Sequence, residues 1–449
     1  MPRVLLITFC YPPTQVIGSV RPAGLVKYLS RFGWDSIVLT PQVQRSPADP
    51  SIVETEYRDV VATWKKRLGM DGKRSVHQQL GLAVSSKPRS ELWHTRALEM
   101  ARYFITYPDE AKGWVPFALR ALEKMADQGL KFDAILTTSP PISSHLIGRK
   151  ARKILGCPWV ADFRDLWTQN MSNPHPRLEA MQTGLERRTL KDADALVTVS
   201  QPWAERLQRS YPSKRIFAIT NGFDPDQFAS LSGELTSKFT ITYAGLLYQG
   251  RRDPAMLFEA LRELFDQKLI SPEDVEVRFY GKVEPWVEAQ VQQYGLGGVV
   301  QLPGLIARAE ALQRQAESQI LLMLGWTDPR ETGQHSGKLF EYLGAGRPIL
   351  AVGGGPSVLT ETLNETGAGI HAFSRDDVRT FLKDSYQEFK TRGRVSYHGI
   401  KAAIERYTHF HMARQFSEVL NLVSGASPQT IEDKNVVMTP AGQSGGPVR

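Results

Sequence analysis

Short apolar runs alternate along this chain with segments whose apolar residues recur every three or four positions. Val4 to Phe9 is such a run. Leu25, Leu29 and Phe32 then fall at helical spacing, Gly33 supplies a stop, and Ser36 to Leu39 is apolar again, the signature of a β-α-β unit. The rhythm continues through Ala134 to Thr138, a helix carrying Leu146 and Ile154 that ends at Gly156, Trp159 to Ala161, and Leu196 to Val199. Strands separated by helices in this way predict a parallel sheet covered on both faces. Residues 41 to about 95 interrupt the alternation with polar, charged and proline-containing sequence and read as an insertion.

Turn chemistry at Asn221-Gly222-Phe223-Asp224-Pro225 and a small, polar stretch from Ser230 to Ser237 mark a boundary. The alternation then restarts. Phe239 to Ala244, Val275 to Tyr280, Val299 to Leu302, Ile320 to Leu324 and Ile349 to Val352 read as strands, with helical patterns between them such as Asp253 to Gln267. The pattern predicts an α/β protein of two Rossmann-like, doubly wound domains, residues 1–225 and 226–400. A final helix follows over 401–423, and a Gly-, Pro-, Ser- and Thr-rich tail over 424–449 reads as disordered. Two such sheets bind ligands at the carboxyl ends of their strands, so the expected site is the cleft between them.

Composition narrows the picture. Among 449 residues, 41% are hydrophobic and 23% charged, as in globular proteins. No apolar run approaches the roughly 18 to 20 residues of a membrane span. The first residues lack a small-residue cleavage site and read as a strand rather than a leader. Two cysteines, Cys10 and Cys157, cannot build a disulfide framework or a cysteine metal centre; they read as packing residues in a reducing cytosol.

The net charge of +8 is unevenly spread. Up to Pro225 there are 32 Lys and Arg against 21 Asp and Glu; beyond it, 23 against 26. A basic first half implies a polyanionic surface or substrate on that side only. Lys65, Lys66, Arg67, Lys73 and Arg74 lie near Trp64, Leu68 and Met70, a mix that suits an anionic membrane surface, with a solvated charged loop as the alternative. Aromatics are not interleaved in any nucleic-acid-binding pattern, so no nucleic-acid partner is expected.

Two strand ends carry candidate chemistry. After Phe239 to Ala244 come Gly245 and, six residues on, Arg251 and Arg252. The glycine permits close backbone approach, and paired guanidinium forks at a helix start suit a diphosphate. An ordinary turn and a solvated helix start remain the alternative. More specific is Gly337-Lys338-Leu339-Phe340-Glu341-Tyr342-Leu343-Gly344-Ala345-Gly346-Arg347-Pro348. Here a helix opens with amides free to hold phosphate, and Glu341 stands one turn further with a carboxylate that can accept both hydroxyls of a ribose.

At these residues the chain resembles the GT-B glycosyltransferases, in particular the retaining, nucleotide-sugar-using family four of bacterial surface-polysaccharide assembly. The resemblance runs from Arg3 to about Leu422. It includes Tyr11-Pro12-Pro13 with Gly18 and Arg21, Ser139-Pro140-Pro141 before a helix carrying His145, Trp159 to Trp167 with Asp162, Arg164 and Asp165, the Asn221 to Asp224 hinge, and the Gly245 and Glu341 motifs. It implies donor binding by Gly18, Arg21, Gly245, Arg251, Arg252, Gly337, Lys338, Leu339 and Glu341, and a catalytic group of His145, Asp162, Arg164 and Asp165. It also implies that the last helix crosses back onto the first domain. Asp162 to Asp165 follow a strand and so face the cleft, although two acids flanking an arginine also suit an internal salt bridge, and His145 is open to a reading as a core histidine. Trp114, near Asp109 and Glu110, is expected to line the acceptor cleft.

One position departs from the family. The family's second glutamate, eight residues before the ribose-binding one, is here Gly333, with Glu331, Gln334, His335 and Ser336 around it. The expected activity is sugar transfer from a nucleotide-diphosphate sugar to a glycan or lipid-linked hydroxyl acceptor. No cofactor or metal is expected, since helix amides and Arg or Lys can neutralise the leaving diphosphate. Recognition of the base falls to the loops at Gly281 to Val283 and Leu302 to Leu305. Two rivals stand beside this reading: a nucleotide-sugar epimerase or hydrolase on the same fold, and a non-catalytic nucleotide-sugar-binding relative. A dinucleotide oxidoreductase is disfavoured because G-x-G-x-x-G is missing after the first strand. The expected location is cytoplasmic, at the inner face of the cell membrane.

Overall fold

The computed structural model describes residues 1–14, 16–42, 49–67, 103–169, 179–326, 328 and 331–426. Seven parallel strands make the first sheet: β1 (Arg3–Ile7), β2 (Asp35–Pro41), β3 (Ile52–Thr55), β4 (Ala134–Ser139), β5 (Trp159–Phe163), β6 (Ala195–Thr198) and β7 (Arg215–Ala218), in the order β3-β2-β1-β4-β5-β6-β7. Six more make the second: β8 (Phe239–Ala244), β9 (Val275–Tyr280), β10 (Val300–Gly304), β11 (Ile320–Leu324), β12 (Ile349–Val352) and β13 (Gly369–Ala372), ordered β10-β9-β8-β11-β12-β13. Central strands such as β4, β5 and β11 are buried at every position. Helices cover both faces, and this is why β5 and β11 read as nearly continuous apolar runs rather than alternating ones.

Strand order reverses between β1 and β4 in the first sheet and between β8 and β11 in the second. Crevices open at these switch points because neighbouring connections leave in opposite directions. The segment after β1 and the segment after β8, from Gly245, both border the interdomain cavity.

Three strands are present beyond those expected, all at sheet edges. Residues 52–55, inside the stretch read as an insertion, form the edge strand β3, which pairs Val53 with Leu39. The other two, β7 and β13, are also edge strands. Edge strands here are only partly covered, so they show no apolar run. Of the basic segment, Val60–Arg67 is helical, with Trp64 half-buried and Lys66 exposed. Leu68, Met70, Lys73 and Arg74, and the side chains of Lys65 and Arg67, lie outside the described residues, as do residues 427–449 of the tail.

The last stretch is two helices, Lys401–Glu405 and His409–Ser424. The second crosses back to the first domain. Its Met412, Phe416, Val419 and Leu420 pack on the β1 face against Val4, Leu6, Leu25 and Leu136, each worth about 1.5–3 kcal/mol of burial. Trp34 Nε1 donates to Asn421 Oδ1 at 2.9 Å. Where the chain crosses twice between domains, the two passes are paired: the Phe223 amide donates to the Tyr407 carbonyl and the His409 amide to the Phe223 carbonyl. Gly222 is required there, because a Cβ would lie 2.8 Å from the Tyr407 oxygen.

Candidate functional site

A cavity of ≈ 680 Å³ lies between the domains, bordered by Cys10, Ile17, Gly18, Arg21, Arg164 and Asp165 from the first, the Asn221–Phe223 hinge, and Gly245, Arg252, Arg308, Lys338 and Glu341 from the second. Cys10 therefore faces the cleft rather than filling a core, and burial raises its thiol pKa; Cys157 is buried.

On the second domain, β8 ends on Tyr243 and Ala244. The Ala244 amide donates to the Tyr342 hydroxyl at 3.1 Å, which fixes the strand end on the helix Gly337–Ala345. Gly245 follows with φ +142°, a conformation that side chains avoid, and a Cβ on it would lie 2.5 Å from Lys338 Nζ. Lys338 donates to the Tyr243 hydroxyl at 3.0 Å and sits 4.3 Å from the ring centroid. Burial, reinforced by Arg252 and opposed by Glu341, pushes the Lys338 ammonium down to about 7. Burial also pushes the Tyr243 phenol up to about 12, so it stays protonated. The result is a partly buried lysine at the cavity wall beside a helix start, with no carboxylate among its hydrogen-bond partners in the described residues.

Glu341, one turn along, is held by Arg308 Nη2 at 3.0 Å and Gln315 Nε2 at 3.4 Å, with its carboxylate at the cavity wall. Arg251 and Arg252 separate. Both guanidinium groups lie over Trp326, at 5.2 and 5.4 Å, but Arg252 borders the cavity whereas Arg251 is exposed outside it. Leu339 is buried in the core, and its amide already donates to the Ser336 carbonyl, so it contributes packing rather than a free donor. Gly337 allows Ile17 of the other domain to approach: a Cβ would lie 3.0 Å from its Cδ1.

The first domain sorts its expected group into three. Arg21 and Asp162 form a buried, bidentate ion pair at 3.0 and 2.8 Å. Asp162 also accepts from Thr138, while Arg21 donates to the carbonyls of Ile219 and Thr220. This corrects the expected catalytic role of Asp162. It sits within β5 rather than after it, and its charge is consumed in fastening the helix Val20–Leu29 and the hinge segment to the sheet. Arg164 lies in the cavity wall, donating to the carbonyls of Ser139, Gly18 and Pro140; a Cβ on Gly18 would crowd its guanidinium at 3.1 Å. Asp165 borders the cavity, and burial raises its carboxyl pKa against the lowering pull of Arg164.

His145 is a further correction. It is fully buried, its Nδ1 is 2.7 Å from Thr137 Oγ1, and its ring packs 4.4 Å from that of Phe163. Burial pushes the imidazole down to about 3, so it is neutral and away from the cleft. Trp114 is likewise in the core, donating to Thr55 at 2.8 Å, because its indole is buried in the helix layer under the sheet. At the proposed base loops, the Gly281 amide donates to the Gly304 carbonyl, and Leu305 is 78% exposed.

Tyr243, Arg308, Gln315 and His409 were not anticipated. Tyr243 left a weak signal, an aromatic hydroxyl two residues before the strand-end glycine. Arg308 and Gln315 belong to Arg308–Ala316, a polar helix like any solvated one. His409 arrives from the terminal helix and fits only because Gly24 lacks a Cβ, which would meet its ring at 2.4 Å.

Two doubly wound domains facing a cleft, with the terminal helix returning to the first, define the GT-B fold. Residues 18–222 match the glycosyl transferase 4-like domain. Its architecture is similar to that of sucrose-phosphate synthase from Thermosynechococcus elongatus, with TM-score 0.58, 16% identity and coverage of 95% of this chain and 100% of the other. It is also similar to Anabaena HepE in complex with UDP and glucose, with 0.57, 12%, 94% and 100%. A UDP-N-acetylglucosamine 2-epimerase assigned in Listeria monocytogenes gives 0.51, 14%, 94% and 96%. At these identities the likeness is one of fold. No curated protein sequence matches the chain.

Proposed function

We propose that this protein is a glycosyltransferase that moves a sugar from a nucleoside-diphosphate sugar to a hydroxyl acceptor, with retention of configuration. The observation that carries the reading is the partly buried Lys338 packed against Gly245, with Glu341 one turn along the same helix and all three at the cavity wall. That spacing suits a diphosphate at the lysine and a ribose at the carboxylate. The leaving diphosphate is neutralised by Lys338, Arg252 and the helix start, so the reaction runs without a bound metal. The acceptor hydroxyl enters from the Arg164 and Asp165 side and attacks the anomeric carbon on the face from which the diphosphate departs. The departing phosphate oxygen takes its proton. No side-chain nucleophile is needed.

The same reading places the acceptor among glycans or lipid-linked sugars of surface polysaccharide or glycolipid assembly, with the protein cytoplasmic and peripheral on the membrane's inner face. The basic first half supports it; no helix among the described residues is long and apolar enough to cross a membrane. Thermal-shift screening against free nucleoside diphosphates tests the site, since a ligand at 100 times its Kd adds roughly 2.7 kcal/mol. Donor turnover with and without acceptor then tests the reaction, and efficient turnover without acceptor favours an epimerase or hydrolase. Anionic vesicles at low salt should sediment the protein, and failure to do so counts against the membrane assignment.

A further inference from the structure

The loop before the helix Gly337–Ala345 is fastened to the opposite domain. Glu331 accepts from Arg206 Nη1 at 3.2 Å and from Trp203 Nε1 at 3.3 Å, both on the helix Gln201–Ser210 of the first domain. Ser200 Oγ donates to the Gly333 carbonyl at 2.7 Å, and His335 Nδ1 lies 3.1 Å from the Val199 carbonyl. The Glu331 side chain is only 5% exposed, so its charge depends on Arg206 rather than on water. A Cβ on Gly333 would lie 2.3 Å from Trp203 Cδ1. The position eight residues before Glu341 therefore has no room for a carboxylate while the domains are docked.

Behind the same loop is a side chamber of ≈ 120 Å³, bordered by Glu331, Gln334, Ser336, Arg252, Trp326 and Ser357. Arg252, Gln334 and Ser336 border the main cavity as well. A group attached to a diphosphate at Lys338 thus has this chamber, of mixed polar and apolar lining, beside it. The wall nearest the diphosphate, Gln334 to Ser336, is the stretch that the first domain pins.

We propose that Arg206 and Trp203 are positioning residues for the transferred sugar: through Glu331 they set the chamber wall that grips the sugar, while leaving the nucleotide contacts alone. The proposal rests on the reading of the cavity as a nucleoside-diphosphate-sugar site. Arg206 touches no substrate in this scheme. Its planar fork and charge hold Glu331, and Glu331 holds the loop.

The test is calorimetric titration of the full chain with UDP, GDP, UDP-glucose and GDP-mannose, on the wild type and on Arg206→Met, Arg206→Lys and Glu331→Gln, with melting temperatures to confirm folding. The expected result is that Arg206→Met and Glu331→Gln weaken the sugar conjugate at least fivefold and change its parent diphosphate less than twofold, with Arg206→Lys in between. Equal losses for conjugate and diphosphate, or no loss for either, overturn the proposal. Wild-type protein that binds none of the four ligands refutes the cavity reading itself, an outcome distinct from a failure of the positioning role.

Discussion

If Lys338 holds the diphosphate, binding must be linked to proton uptake in a defined pH window. The free protein keeps this ammonium beside Tyr243 and Arg252, where burial pushes it down to about 7. An unperturbed lysine titrates near 10.4, and a bound diphosphate returns the group toward that value. At pH 8 about nine-tenths of the free protein therefore carries neutral lysine, and binding takes up about 0.9 proton; at pH 6 the uptake falls to about 0.1. Affinity is steady below pH 7 as far as this lysine is concerned, then falls by up to about tenfold per pH unit, ~1.4 kcal/mol, from pH 7 upward. From pH 7 to pH 9 the loss is about 50-fold. The assay is calorimetric titration with a nucleoside diphosphate in two buffers of different ionisation enthalpy at pH 6, 7, 8 and 9, on the wild type and on Lys338→Met. The variant should lose the pH slope and bind more weakly at pH 6.5 by about 1.5–3 kcal/mol, the worth of a charge-assisted hydrogen bond. Wild-type binding at pH 8 with no proton uptake, or an unchanged slope in Lys338→Met, would refute the reasoning. The same group sets a stability trend: between about 7 and 10.4 the unfolded chain binds the extra proton, so its contribution to stability rises with pH there and is lost as pH falls through 7.

Three further outcomes follow from the same geometry. Glu341→Ala should weaken nucleoside-diphosphate binding by about 1–3 kcal/mol, measured by titration against folded protein; unchanged affinity removes the ribose assignment. Arg252→Ala should cost diphosphate affinity while Arg251→Ala changes it little, because only Arg252 borders the cavity; equal effects in equilibrium binding argue against that distinction. Asp162→Asn should destabilise the fold by about 3–5 kcal/mol in urea unfolding, because Arg21 is left buried without its counter-charge; a loss below about 1 kcal/mol would return Asp162 to the catalytic candidates.

Most of the architecture was legible in the sequence because a parallel sheet sandwiched between helices demands apolar residues at successive positions. Strands β1, β5 and β11 meet that demand at all or all but one residue, whereas β4 and β8 bury threonines among their apolar residues. Gly245 was read as a position of close approach, and a Cβ there would meet Lys338. Partnership was not legible. Asp162 and Asp165 are three residues apart on one strand end, yet one is spent on Arg21, 141 positions away, and the other faces the cleft. Glu331 and Glu341 are both half of an ion pair, but Glu331 is tied to the opposite domain and Glu341 to Arg308 of its own. His145 sits on an amphipathic helix whose inward face holds any residue that fits between Thr137 and Phe163. A polar residue at a strand end looks the same in sequence whether it is solvated, paired or lining a site. Hydrophobic periodicity reports a local average over neighbours in the chain, whereas the state of a charge is decided by the few atoms that folding brings within hydrogen-bond distance.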